Sequence, residues 1–237
     1  MRSKRINVEL GSGFLFDISE EVDGFWVNYG SEWFEGWKPS RSDLRWLVRR
    51  IKKIMKDIGV QTPHFALYLV LFGALGESNL TCCVDKRKQV IYLRLPIYVI
   101  RRRLGVPTED HEDYVFYHEL MHAKDCLEGR FPSSGFISIN QNPELALITS
   151  LWHFSIEGRL EKTGKPHKSR PKVIEDEYLW ARNLKLNKTL KPITKEIVRE
   201  LCDQLWGREV TFEELQSLLK INHLSSQCSS ASLGRAS

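Results

Sequence analysis

His118-Glu119-Leu120-Met121-His122-Ala123 is the stretch on which the reading of this chain turns. It lies inside a segment with the marks of one continuous helix. Thr108 is a suitable cap, and Glu109, Asp110, Glu112 and Asp113 place negative charge near the positive end of the helix dipole. Gly129, with Pro132 close behind, stops the helix after Glu128. On such a helix His118 and His122 leave the same face one turn apart, so both imidazoles can bind one metal ion while Glu119 projects beside them. Two histidines suit Zn²⁺, with a third protein ligand from elsewhere and a water in the open position. Zinc so held lowers the pKa of its water toward about 7, and Glu119 is the base that accepts the proton as the water attacks a carbonyl. Ala123 is small enough for close packing. The competing reading is a partly buried helix with two satisfied histidines and a surface glutamate, so the context of the motif carries weight.

Working backwards, His64 to Ile100 reads as β structure. Phe65 to Phe72 and Gln89 to Leu95 are aromatic and branched runs bounded by Gly or Pro, and Asp85-Lys86-Arg87-Lys88 marks a hairpin turn. Before them, Leu44, Leu47, Val48, Ile51, Ile54, Met55 and Ile58 recur at helical spacing, which predicts a helix from about Ser42 to Ile58 ended by Gly59. The first forty residues, rich in Gly and aromatics, suggest short strands and turns. Working forwards, Asn142, Pro143 and Glu144 open a helix that continues to about Lys162. Pro171 to Leu184, Thr194 to Trp206 and Thr211 to Ile221 follow as three more, the last with the capping box Thr211 and Glu214. The fold class expected is α+β. A β-rich N-terminal lobe with a mixed sheet and the motif helix spans 1–130, a helical C-terminal lobe spans 131–224, and 225–237, mostly Ser, Ala and Gly, is a disordered tail.

The chain has 237 residues, 42% hydrophobic and 27% charged, which is the range of a soluble globular protein with a sizeable core. Asn7, Glu9, Gly11 and Ser12 interrupt any signal-peptide core, and the most apolar run, Phe65 to Leu75, is far short of the roughly 20 residues that cross a bilayer. Five cysteines without ligand-like spacing point to no disulfide framework. A cytoplasmic protein is expected. The net charge of +5 is concentrated in Arg41 to Lys56, Arg101 to Arg103 and Lys162 to Lys172.

With these residues in view, the chain resembles the zincin metallopeptidases, and more narrowly the gluzincins, over about Phe65 to Lys162. The resemblance implies a zincin-like mixed sheet over the active-site helix. It also implies a Glu on a second, downstream helix as third metal ligand, with an acidic residue four positions later supporting a metal-binding histidine. Glu157 matches the ligand position and Glu161 the supporting one, where Asp is commoner in the family. The extended metzincin pattern is absent, because no Gly and His follow His122 at the required spacing. The residues themselves point the same way. After a connection of about a dozen residues the second helix can fold back on the first, with Ala146, Thr149, Ser150, His153, Glu157 and Glu161 on one broad face. A buried carboxylate there needs a partner, and a metal supplies one. Surface pairing of Glu157 and Glu161 with Arg159, Lys162 or Lys165 is the plain alternative, and His153 competes as third ligand. Tyr178, His167 and His153 are candidates for an oxyanion donor. Asp125 either orients His122 or caps a solvated face.

The function expected on these grounds is hydrolysis of peptide bonds in a peptide or protein substrate, with His118, His122 and Glu157 on Zn²⁺ and Glu119 as base. A substrate strand would pair with the sheet edge near Gln89 to Leu95. The alternatives are a zincin-like protein without peptidase activity that binds nucleic acid, a membrane surface or a protein partner, suggested by the basic amphipathic helix over Arg41 to Lys56 and the nearby aromatics, and a metal-binding pseudoenzyme with an interaction role.

Overall fold

The computed structural model describes residues 18–29, 40–60, 66–72, 81–86, 90–96, 111–132, 143–183 and 193–220. Phe14 to Phe16, Thr108, Asn142 and the tail from Ser225 lie outside them. The chain divides into two compact units, Met1–Gly129 with Ser133–Phe136, and Arg130–Pro132 with Ile137–Ser237. It is a mixed α/β protein, with one sheet in the first unit and helices alone among the described residues of the second.

In the first unit, β1 (Ile18–Val22) and β2 (Phe25–Tyr29) form a hairpin. Its two-residue turn, Asp23-Gly24, has positive φ at both positions, the conformation that matches the twist of the flanking strands. Helix α1 (Arg41–Asp57) opens with a reciprocal cap between Ser40 and Asp43 and buries Leu44, Leu47, Val48, Ile51, Ile54 and Met55, the stripe that its periodicity predicts. Arg45, Arg49, Lys53 and Lys56 stand on its exposed side.

Strands β3 (Ala66–Phe72), β4 (Thr81–Asp85) and β5 (Val90–Pro96) complete a five-stranded mixed sheet of order β1-β2-β3-β5-β4. β3 is parallel to both β2 and β5, whereas β4 runs antiparallel to β5. The β4–β5 hairpin thus folds β5 inward, and the consecutive residues Val90, Ile91, Tyr92 and Leu93 are all buried, so both faces of β5 are covered. This corrects one expectation. Val90–Pro96 is not the sheet edge, because β5 has a ladder neighbour on each side, and among the described strands the more polar β4 occupies the edge instead.

Helix α2 (His111–Leu127) carries the motif and buries Phe116, Tyr117, Leu120, Met121, Ala123 and Cys126. Three contacts set it beside α1. Arg50 Nε donates to Asp113 Oδ1 at 2.6 Å, Tyr117 donates its hydroxyl hydrogen to Asp57 Oδ2 at 2.8 Å, and Lys124 Nζ donates to the Ile58 carbonyl at 2.8 Å. The partners advance together along both helices, so α1 and α2 run in the same sense. Gly129, at φ 81°, lies just beyond the end of α2.

The second unit is built on α3 (Pro143–Lys162), which is buried continuously from Phe154 to Leu160. Helix α4 (Arg170–Asn183) follows, then α5 (Lys195–Leu205) with Thr194 as its N-cap, and α6 over 212–220. The Thr211 and Glu214 capping box forms as its sequence predicts, with bonds of 2.7 and 3.2 Å. Phe131 stacks on Trp152 at 3.6 Å, which ties Arg130–Pro132 to α3. No helix among the described residues is long and apolar enough to cross a membrane.

Candidate metal centre

Within the first unit, the stripe of α2 that meets α1 holds Asp113, Tyr117 and Lys124. Helical geometry therefore turns Tyr114, His118, His122 and Asp125 onto another stripe, with Glu119 further round toward the sheet. His118 and His122 are both buried, their ring planes are 75° apart, and their Nε2 atoms stand 3.3 Å from each other. A hydrogen bond from one ring to the other, with donor and acceptor set by the tautomers, is compatible with that separation. Two imidazole nitrogens on one tetrahedral zinc, each at about 2.0 to 2.1 Å, stand about 3.3 to 3.4 Å apart. The pair therefore fits the edge of a zinc coordination tetrahedron.

The tautomer this requires leaves a hydrogen on each Nδ1. At His118 that atom lies 3.4 Å from the Tyr114 hydroxyl, a long contact that keeps the ring's far nitrogen in a polar setting. Asp125 is fully buried, which removes the solvated-face reading of this residue. Glu119 is half-buried, and its Oε2 accepts the backbone N–H of Cys82 at 3.1 Å. Edge strand β4 thus holds the carboxylate through its outward-facing amide.

Within the second unit, Ser150, His153 and Glu157 share one stripe of α3 but have different partners. His153 Nδ1 lies 2.7 Å from Glu177 Oε1 on α4, and Ser150 Oγ donates to Glu177 Oε2. Glu157 is 1% exposed, and its Oε2 accepts the Lys168 backbone N–H at 2.7 Å, which pins the connection between α3 and α4. Glu161 is exposed at the last turn of α3, where Oε2 accepts the Trp206 indole N–H at 2.6 Å. His167 Nδ1 donates to the Lys165 carbonyl at 2.8 Å, with Nε2 3.8 Å from Glu161 Oε1. Tyr178 is half-buried on α4.

Three of these partners are not singled out by the sequence. The Cys82 amide is a backbone group, and its use depends on β4 being the edge. Tyr114, four residues before His118, is visible by helical spacing but reads as an ordinary core aromatic. Glu177 is one acidic residue among several in α4, and only the packing of α3 on α4 pairs it with His153. No protein-family model and no curated protein matches this chain.

Proposed function

We propose that the chain is a zinc-dependent metallopeptidase with a zincin-like active-site helix, in which His118 and His122 hold the ion and Glu119 is the general base. The observation that carries this reading is the 3.3 Å separation of the two Nε2 atoms on a buried helix face. A bound zinc supplies Lewis acidity, acidifying water and polarising a substrate carbonyl.

The residues do the rest. His118 and His122 bind through Nε2 and leave Nδ1 protonated. Glu119 keeps Oε2 on the Cys82 amide, so proton transfer falls to Oε1, which takes a proton from the attacking water and returns it to the leaving amine. Anchoring one oxygen on the backbone fixes the other in direction, which is the preorganisation that a general base needs.

Metal analysis of protein purified without added zinc tests the site: about one zinc per chain is expected, and none in His118→Ala or His122→Ala. Glu119→Gln is expected to keep the metal and lose hydrolysis of a fluorogenic peptide library, because it removes the base without removing a ligand. A wild-type chain that neither carries nor takes up zinc would refute the proposal.

A further inference from the structure

We infer that the exposed face of α1 is a nucleic-acid-binding surface that holds the phosphate backbone of a duplex without reading its sequence. The helix carries seven basic residues against two acidic ones. Arg50 is committed to Asp113 and lies over the Trp46 ring, and Lys52 donates to the Asp23 carbonyl. Arg45, Arg49, Lys53 and Lys56 are exposed, and their side chains have no hydrogen-bond or ion-pair partner among the described residues. Both acids of the helix are engaged elsewhere, Asp43 in the cap with Ser40 and Asp57 with the Tyr117 hydroxyl. At 3.6 residues per turn, the four cations fall within an arc of about 80°, opposite the buried stripe and over a length of about 17 Å.

The helix itself gains little from this array. Arg45, Arg49 and Lys53 are like charges four residues apart, a spacing that destabilises a helix, and of the four only Lys56, in the last turn, suits the helix dipole. A polyanion laid along the face turns that repulsion into attraction. One strand of a duplex carries a phosphate about every 3.4 Å of axis, so about five lie along the cationic strip, whereas a single phosphate meets only part of it. A lipid surface fits less well. The apolar stripe of α1 is buried in the core, and the exposed large apolar side chains among the described residues, Leu179 and Ile197, both belong to the second unit, so this face has nothing to enter the acyl layer. Phosphate contacts fix position and carry no sequence information. The surface lies wholly within the first unit and does not depend on whether His118 and His122 hold a metal.

The experiment follows the fluorescence anisotropy of a labelled DNA duplex of about 20 base pairs, titrated with the full-length chain at several salt concentrations. Four phosphate contacts give a slope of log K against log salt of about −3.6, which is roughly a 100-fold loss of affinity between about 50 and 200 mM salt. A duplex of scrambled sequence should bind equally. Arg49→Gln alone should reduce the slope by about 0.9. Replacing Arg45, Arg49, Lys53 and Lys56 together by Gln should weaken binding about 100-fold, with helix content by circular dichroism unchanged because Gln is as good a helix former. The matched control removes four exposed cations of the second unit, as Lys172→Gln, Arg182→Gln, Arg199→Gln and Lys220→Gln. At 0.1 M salt, where charges beyond about 10 Å are screened, it should stay within about 3-fold of wild type. A wild-type chain that does not bind the duplex overturns the proposal, as does a control that loses as much as the α1 variant, since net charge and not this face would then be responsible. Binding to vesicles of phosphatidylcholine and phosphatidylserine in equal parts, with none to the duplex, overturns it in favour of a lipid surface. If the fourfold α1 variant loses helix content, the four single substitutions decide, and unchanged slopes refute the proposal.

Discussion

Replacing Gly158 by alanine tests the packing that holds α3, because two opposing effects there predict opposite signs. In an unconstrained helix interior the substitution stabilises by about 1 kcal/mol, since alanine loses less backbone entropy. Here the added Cβ would meet the Gly207 backbone nitrogen at 2.1 Å and the Gly207 Cα at 2.7 Å. Both are backbone atoms that no side-chain rotation moves aside. Ordinary contact begins near 3.4 Å, so helix and turn must separate by at least about 1.3 Å. Such a shift breaks the 2.6 Å bond from Ser155 Oγ to the Arg208 carbonyl, while the flexible Lys162 can follow its 2.7 Å contact with the Gly207 carbonyl. Overpacking of this kind costs about 1 to 3 kcal/mol, and the lost hydrogen bond adds about 1. Set against the propensity gain, the net expectation is a loss of about 1 to 3 kcal/mol. Urea denaturation followed by circular dichroism, wild type beside variant, measures it as a lowered midpoint. An unchanged or raised midpoint would show that α3 and the turn at 206–208 do not meet as described.

Further outcomes follow from the first unit. Burial, and then the hydrogen bond to the Asp57 carboxylate, push the Tyr117 phenol up to about 12. A pKa raised in the folded state means that this contribution to stability is intact below about pH 10, the unfolded value, and is lost as pH rises through about 12. Ultraviolet titration should therefore show one late phenolate, absent in Tyr117→Phe and earlier in Asp57→Asn; a wild-type titration with no late step contradicts the contact. Ser40→Ala removes the α1 cap and should cost about 1 kcal/mol, read by thermal melting. Restoration of that stability by Thr but not by Val at the same position would tie the loss to the hydroxyl.

The helices were legible because their signals are local. The apolar stripe of α1, the Thr211 and Glu214 box and the stops at Gly59 and Gly129 each depend on residues within a turn or two of one another. The same holds for the core of the candidate site. A spacing of four on a helix dictates that His118 and His122 share a face, whatever else the chain does. Hydropathy likewise marks β3 and β5 as strands, since both are runs dominated by apolar, branched and aromatic residues. Ladder order is a different matter, because it depends on where hairpins fold. The polar β4 took the edge that had been expected of β5, and with it came the amide that holds Glu119.

Sequence by itself thus determined which segments are helix or strand and which two histidines stand side by side. Tertiary structure alone decided which partner each polar group on α3 takes. Glu157 and His153 are equivalent in spacing, yet one is bound to a backbone amide and the other to Glu177. Partners drawn from residues 11 and 24 positions away in the chain are set by how α4 packs on α3, and no local pattern encodes that distance.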